Sequence, residues 1–282
     1  MTAAAAFVAG LLAVIVLERT TRDVMARPVL ARLNYRDHEL PTASGLLLLA
    51  AVIAVEGGRL LVELVVDGRP DLTPERVAVL LVVVAFGFLG LVDDLLGDGD
   101  DRGLKGHVGA VLRGRVTTGF IKLAGGAAVA VFVSALLLGG DALDVIVGGA
   151  VIALAANMGN LFDRAPGRTL KVGLIAYVPL AVAAATGASG VALAAVAGAA
   201  VGLLPGDLRE RSMLGDTGAN AWGAALGVVA VATVGAPGRA AIASVLLALT
   251  LLSEVVSFSR VIAAVPPLRA VDRLGRLPED AP

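Results

Sequence analysis

The sequence predicts an all-α, polytopic integral membrane protein, a bundle of about nine transmembrane helices. Hydrophobic residues make up 57% of the 282 residues and charged residues only 17%, and the mean hydropathy of +0.88 lies far above that of ordinary soluble domains. The 35 glycines and the alanine runs supply small side chains that let membrane helices pack closely. We therefore expect one integral membrane domain over residues 1–282.

A helix needs roughly 20 mostly apolar residues to cross a bilayer, and nine segments of the chain approach that length. The first segment lacks a basic n-region and is followed by Glu18 and several arginines, so we interpret it as a helix rather than a signal peptide. Glu56, Arg59 and Glu63 interrupt the extension of the second. The segments cover residues 3–17, 44–54 with an extension toward 66, 73–92, 117–138, 143–156, 170–185, 188–204, 217–234 and 240–262.

Basic residues are divided unevenly between the two ends of these segments. The ends opposite the basic side carry little beyond Arg59, Arg69, Arg76 and Arg239. The positive-inside rule therefore predicts an outside N-terminus and a cytoplasmic C-terminus, which agrees with an odd number of helices. The basic residues assigned to the cytoplasmic side are Arg19, Arg22, Arg27, Arg32, Arg36, Arg102, Lys105, Arg113, Arg115, Arg164, Arg168, Lys171, Arg209, Arg211, Arg269, Arg273 and Arg276.

Charge and composition exclude several classes of function. The 23 basic and 24 acidic residues leave a net charge of -1, which argues against nucleic acid as a partner. The chain has no cysteine, which excludes disulfides, thiolate zinc sites, iron–sulfur clusters and thiol nucleophiles. With only two histidines, any bound metal must rest on oxygen ligands.

Two adjacent carboxylates, Asp93 and Asp94, end the third segment. This is the negative end of the helix dipole, where carboxylates destabilise the helix unless a cation compensates them. A divalent metal ion would compensate them. The alternative is a hydrated stop signal at the membrane interface, and position alone does not choose between the two.

Two further polar motifs lie at segment ends. Asn157 and Asn160 lie one helical turn apart, ahead of Asp163, and could bind a metal, a phosphate or a nucleobase edge. The alternative for this pair is interhelical hydrogen bonding. Asp216, in a Gly-Asp-Thr-Gly motif, resembles the N-cap of the eighth segment, at a helix N-terminus that favours phosphate. An ordinary cap is the alternative.

Under the predicted topology, these motifs all lie at cytoplasmic helix ends. The carboxylate pair, the asparagine pair with Asp163, Asp216 and the nearby Lys122 can then converge on one oxygen-rich site flanked by a lysine. Hard oxygen ligands beside a cation suit Mg²⁺ and phosphate groups.

The order of these motifs resembles the polyprenyl-phosphate N-acetylhexosamine-1-phosphate transferase superfamily, glycosyltransferase family 4, which includes the phospho-MurNAc-pentapeptide translocases and the undecaprenyl-phosphate GlcNAc-1-phosphate transferases. The resemblance covers nearly the whole chain. It is carried by residues 34–45, the Asp93–Asp94 pair, the Thr-Gly-x-x-Lys of residues 118–122, and residues 157–163, 213–223 and 254–257.

The resemblance implies a magnesium-dependent phosphoglycosyltransferase. Such an enzyme transfers a sugar 1-phosphate of the N-acetylhexosamine class from a UDP-sugar to a polyprenyl phosphate, and yields a polyprenyl-diphosphate-sugar and UMP. It implies a multi-pass protein of the inner (plasma) membrane with a cytoplasmic active site, serving cell-envelope biogenesis, with membrane lipid as surroundings and a homodimer as one possible assembly.

The resemblance also implies a role for each matching residue. Asp94 and Asp216 would hold Mg²⁺, Asp93 would handle the acceptor phosphate or its proton, and Lys122 would neutralise the diphosphate. The nucleotide pocket would be lined by Asn157, Asn160 and Asp163, with His38 and Thr42 in the substrate-binding first loop. For His38 a solvated loop residue is the alternative. His107 has no motif support, and Trp222 and Glu254 are assigned to helix packing and the wall of the site.

The sequence departs from the family pattern at two places. Pro166 stands where members carry a second acidic residue, and the final loop near residues 265–276 contains no histidine. The alternative function is therefore a catalytically degenerate member that binds a lipid carrier or acts as a scaffold in envelope assembly. The arginines of that loop, Arg269, Arg273 and Arg276, are either topology residues or replacement phosphate contacts.

Overall fold

The computed structural model describes residues 1–97, 114 and 116–278. A short antiparallel hairpin of β1 (Ala31–Leu33) and β2 (Glu39–Pro41) follows a 3-10 turn at Pro28–Leu30. The helices are α1 (Ala3–Thr20), α2 (Arg22–Met25), α3 (Gly45–Val66), α4 (Pro74–Leu96), α5 (Thr118–Leu138), α6 (Ala142–Phe162), α7 (Arg168–Ala184), α8 (Ala188–Leu208), α9 (Gly215–Thr233), α10 (Ala236–Ser253), α11 (Phe258–Ala264) and α12 (Pro266–Arg273).

The structure confirms a mostly helical polytopic membrane protein. Within the described residues, seven helices are long and apolar enough to cross a membrane: α1, α3, α4, α5, α6, α8 and α10. The segments predicted at 170–185 and 217–234 form α7 and α9, which are helices but are not among those seven. The hairpin departs from the purely helical expectation, and it lies in the first loop rather than in the bundle.

The second segment does extend to Val66, because its charges are paired. Glu56 and Arg59 are both buried, and Arg59 Nε lies 2.8 Å from Glu56 Oε2. Arg59 also binds Glu63 at 2.6 Å, and Arg76 of α4 binds Glu56 at 3.1 Å. A charge inside a membrane helix is tolerated when it is paired in this way.

The ninth predicted segment is wrong in one respect, because no single helix covers 240–262. α10 ends at Ser253, whose hydroxyl donates to the Thr250 carbonyl at 2.6 Å. Ser257 then caps a new helix, α11, by accepting the Arg260 N–H. Serine side chains compete for backbone groups in this way and favour helix ends over helix interiors.

α9 lies at the centre of the bundle and packs against α3, α4, α6, α7 and α8. Its approach to α6 requires glycine, since a Cβ built on Gly223 would lie 2.3 Å from the Ala155 carbonyl oxygen. The α1–α8 contact is equally close, with a Cβ on Gly198 falling 1.9 Å from the Phe7 carbonyl oxygen. The small residues thus allow the close packing that composition predicts.

Backbone hydrogen bonds join the end of the first loop to the loop between α8 and α9. The Met213 N–H donates to Pro41 at 2.8 Å, while the N–H groups of Ser44 and Gly45 donate to Met213 and Leu214, both at 3.0 Å. These contacts hold the start of α3 beside the start of α9. They bring two loops that are far apart in sequence to one end of the bundle.

Candidate functional site

A three-residue ion cluster lies where α4 ends and α5 and α9 begin. Lys122 Nζ donates to Asp93 Oδ2 at 2.6 Å and also to Asp216 Oδ2. The second oxygen of Asp93 accepts from the Thr118 hydroxyl at 2.7 Å. All three charged side chains are partly exposed, so the cluster is accessible from the end of the bundle.

Asp94 turns away from this cluster and caps α9. Its Oδ1 accepts the Asp216 N–H at 3.0 Å, and its Oδ2 accepts both the N–H of Thr217 at 2.9 Å and its hydroxyl at 2.6 Å. The assignment of Asp216 as the N-cap is therefore wrong. Asp216 lies inside the first turn of α9, and the carboxylate that satisfies that turn comes from α4.

These contacts show how the carboxylate pair is tolerated at a helix C-terminus. Asp93 is compensated by an ammonium group, and Asp94 by the positive end of α9 together with three hydrogen bonds. Protein groups therefore compensate the two negative charges, for which the sequence had suggested a metal ion or water.

Asn157 and Asn160 occupy different environments despite their spacing. The Asn157 amide donates to the Thr250 hydroxyl of α10 at 3.2 Å, which is the interhelical alternative. The Asn160 side-chain nitrogen is buried and has no hydrogen-bond partner among the described residues. A buried amide donor without a partner is costly, so Asn160 retains capacity to bind a ligand.

Asp163 follows α6 and lies close to the other carboxylates. Burial, and then the charges of Asp207, Asp216 and Asp94, hold the pKa of Asp163 well above its usual range. The Gly215 N–H also donates to Asp163, so Asp163 lies near the other carboxylates, and its contacts in the described structure do not include Lys122. The structure thus brings four of the predicted acidic residues to one region.

A cleft of about 230 Å³ opens beside Asp163. Three chain segments form its walls: the hairpin turn, the loop between α6 and α7, and the loop between α8 and α9. Pro166 is one of the wall residues, so the position at which the chain departs from the family pattern faces this cleft. The lining consists of Asn34, Tyr35, Leu40, Asp163, Arg164, Ala165, Pro166, Asp207, Glu210, Ser212 and Met213.

Sequence reasoning missed two acidic residues that build the cleft. Asp207 accepts the Gly167 N–H at 2.6 Å and the Leu214 N–H at 3.3 Å, which ties the two loops together. Glu210 accepts from Asn34 at 2.8 Å and from Tyr35 at 3.1 Å, which fixes the hairpin turn to the same wall. An aspartate at the end of an apolar run of residues was the available signal for Asp207.

The two predicted residues of the first loop differ in position. Thr42 is buried beside the N-terminus of α9, where a Cβ built on Gly215 would lie 3.1 Å from the Thr42 hydroxyl and 2.7 Å from Asp94 Oδ2. His38 is exposed at the hairpin, where its backbone N–H donates to Asn34 at 2.9 Å. The structure therefore brings Thr42, but not the His38 side chain, against the carboxylate-bearing helices.

The remaining candidates separate into packing, surface and undescribed residues. Trp222 is 1% exposed and packs against Gly173 of α7, as expected for a helix-packing residue. Glu254 is exposed after the end of α10 and does not form a wall of the cleft. Outside the described residues lie His107, Arg102, Lys105, Arg113 and Arg115.

Arg276 of the final loop contacts a wall residue of the cleft. Arg276 Nε donates to the carbonyl of Pro166 at 2.8 Å. Arg269 is exposed and donates to the Ala263 carbonyl at 3.3 Å, and Arg273 is also exposed.

Among the residues that the structure describes, no three histidine or acidic side chains are arranged to hold a metal ion. No protein-family model matches the chain, and no curated protein sequence is significantly similar to it.

Proposed function

We propose that the chain is a phosphoglycosyltransferase of the polyprenyl-phosphate N-acetylhexosamine-1-phosphate transferase type. The observation that carries the proposal is the convergence of Asp93, Asp94, Lys122 and Asp216, from three helices, near Asp163, which lines the cleft. The order of these residues in the sequence suggested the family, and their closeness in space is an independent observation.

The residues fit a magnesium ion by charge and by donor type. In the described part of the chain, Lys122 is the single cation that contacts the four carboxylates, which are those of Asp93, Asp94, Asp163 and Asp216. Mg²⁺ commonly binds one or two protein carboxylates and takes its other ligands from water and substrate phosphates, so a three-residue cluster is not needed. We assign Asp94 and Asp216 as the holders, since Asp94 Oδ1 accepts one hydrogen bond and keeps acceptor capacity. The bound ion would neutralise phosphate charge.

The chain's own residues bind and orient the two substrates and neutralise charge during the transfer. An oxygen of the polyprenyl phosphate attacks the β-phosphorus of the UDP-sugar, the bond to the UMP oxygen breaks, and UMP leaves. Lys122 neutralises the diphosphate, which favours both attack and departure. Asp93 lies 2.6 Å from that ammonium and orients the acceptor phosphate or takes its proton. Asn160 and Asp163 bind the nucleotide at the cleft, where the unpartnered Asn160 amide offers a donor.

The test is transfer of radiolabelled sugar 1-phosphate in detergent, with several UDP-sugars and a polyprenyl phosphate. Asp216→Asn and Lys122→Gln should each remove most of the activity. The matched control is Asp67→Asn, an exposed carboxylate at the far end of α3. The Asp94→Asn/Asp216→Asn double variant should be scarcely worse than either single one, because groups that act as a unit are strongly non-additive.

Magnesium should also raise the melting temperature of the wild type. If magnesium raised the melting temperature of Asp216→Asn by the same amount, the proposed metal site would be wrong. A second function, that of a degenerate lipid-carrier binder or scaffold, is favoured by Pro166 in the cleft wall. It predicts no transfer with any UDP-sugar and no magnesium shift in the wild type.

The proposal places the cleft on the cytoplasmic side of the inner membrane. A topology reporter fused after Arg276 should then give a cytoplasmic signal, as should one between Asp98 and Arg113, a stretch outside the described residues. An external signal at either position would place the motifs away from nucleotide sugars and would contradict the function.

A further inference from the structure

Two arginines bind the side chain of Asp272, and a lysine binds the backbone around it. Arg168, at the start of α7, forms a bidentate ion pair with Asp272 of α12. Its Nε donates to Oδ1 at 2.8 Å and its Nη2 donates to Oδ2 at 3.0 Å. Arg276 donates to the same Oδ1 at 2.5 Å. Lys171 donates to the Val271 carbonyl at 3.0 Å and to the Asp272 carbonyl. This basic pocket is therefore Arg168, Lys171 and Arg276.

The basic pocket holds three positive charges, and one of them makes no ion pair within the described residues. Asp272 satisfies the two arginines, whereas Lys171 has no carboxylate in ion-pair contact within the described residues and binds backbone carbonyls instead. The nearby Asp207 accepts two backbone N–H groups and makes no ion pair with these cations in the described structure, although its negative charge attracts Lys171 and Arg276. Burial lowers the pKa of Arg276, and repulsion from Arg168 lowers it further. The opposing attraction between Arg276 and Asp272 does not outweigh these effects.

The basic pocket is also built in a way that suits a phosphate. Arg168 is only 6% exposed, and its third contact, from Nη1 to the Ser259 hydroxyl at 2.8 Å, fixes the plane of the guanidinium. A fixed guanidinium fork binds carboxylate and phosphate in the same bidentate way. A phosphate has more oxygens and more charge than a carboxylate, so it can accept from all three cations at once.

The basic pocket borders the cleft. Arg276 holds the carbonyl of Pro166, a wall residue, and Arg36 donates to the carbonyl of Pro278 at 2.9 Å. The segment from α12 to Pro278, which we call the strap, is therefore fastened beside the cleft by Arg168, Lys171, Arg276 and Arg36. A ligand that took over the contacts of Arg168, Lys171 and Arg276 would leave the strap held, among these contacts, by Arg36 alone.

We propose that Arg168, Lys171 and Arg276 form a phosphate-binding site that Asp272 occupies from within the chain, and that a phosphate-bearing ligand replaces Asp272 and releases α12. The ligand class is a phosphate monoester or a diphosphate. This site is separate from the proposed carboxylate and magnesium site, and it does not rest on the proposed transferase activity.

The first test measures binding of inorganic pyrophosphate to the full-length protein in detergent, without magnesium, by calorimetry. Asp272→Asn should bind at least tenfold more tightly than the wild type, because the internal competitor is gone. The matched control is Asp144→Asn, which breaks a similar bidentate pair with Arg239 (2.6 Å). Among the described residues, no second cation forms an ion pair with Asp144. This control variant should bind as the wild type does.

Two further variants make the result decisive. Adding Arg168→Gln to Asp272→Asn should remove the tenfold gain. A nitroxide on Ala270→Cys, the only cysteine of that variant, should become more mobile when pyrophosphate is added. Equal affinity of wild type and Asp272→Asn, a gain that persists with Arg168→Gln, or an unchanged nitroxide spectrum would each overturn the proposal.

Two natural sources of phosphate are separated by repeating the titration with UMP and with a short-chain prenyl phosphate in micelles. Tighter binding of UMP to Asp272→Asn indicates a nucleotide ligand, and tighter binding of the prenyl phosphate indicates a lipid ligand. Because no sugar transfer is measured, failure here leaves the transfer assay intact, and loss of transfer activity leaves this site intact.

Discussion

Replacement of Asp94 by asparagine tests how the carboxylate pair is compensated. In the structure, Asp94 accepts two backbone N–H groups and one hydroxyl from the first turn of α9. Asparagine keeps one oxygen and turns an NH₂ group toward at least one of those donors. Loss of an N-cap costs about 0.5–2 kcal/mol, and a hydrogen bond to a charged group contributes about 1.5–3 kcal/mol. We expect Asp94→Asn to destabilise the protein by about 2 kcal/mol.

The assay is thermal unfolding in detergent without magnesium. At about 2 °C per kcal/mol, a value suited to a large chain, the expected fall in melting temperature is about 4 °C. Asp23→Asn, at an exposed position in α2, is the control and should melt with the wild type. If Asp94 were instead an uncompensated charge at a helix C-terminus, its neutralisation would raise the melting temperature. A melting temperature at or above that of the wild type would therefore refute the capping role.

Two further perturbations follow from the contacts described above. Gly223→Ala should lower the melting temperature, because the new methyl would meet the Ala155 carbonyl oxygen at 2.3 Å, an overpacking that costs about 1–3 kcal/mol. Gly57→Ala, in open space on α3, should be neutral or should stabilise the protein by about 0.5–1 kcal/mol. A Gly223→Ala variant that melts at a higher temperature than Gly57→Ala would contradict the described packing. Burial alone would raise the pKa of Asp272, but Arg168, Arg276 and Lys171 outweigh burial and lower it. The stability that this carboxylate contributes is therefore fully present above its unfolded pKa of about 3.9 and is lost as the pH falls through the lower folded value. A nitroxide at residue 270 should stay immobile from pH 8 to about pH 5 and gain mobility only below about pH 4, and release near neutral pH would show that another group fastens the strap.

Local patterns determined the membrane class and most of the helices. Hydropathy over a window of residues reports whether a segment can lie in lipid, and it needs no knowledge of neighbouring segments. The polar residues at helix ends could also be found locally, because a carboxylate or amide at the edge of an apolar run is costly without a partner. Asp93, Lys122 and Asp216 were found in this way, and the structure brings them into contact.

Pairings across the bundle were decided only by the tertiary structure. Asp94 caps a helix that begins more than a hundred residues later, so the sequence around Asp216 suggested the wrong N-cap. Asp207 and Asp272 carry no motif, because their importance comes from loops and arginines that only the fold brings to them. A hydrogen bond or ion pair depends on atoms within a few ångströms, and for residues distant in sequence that proximity is set by how the helices pack.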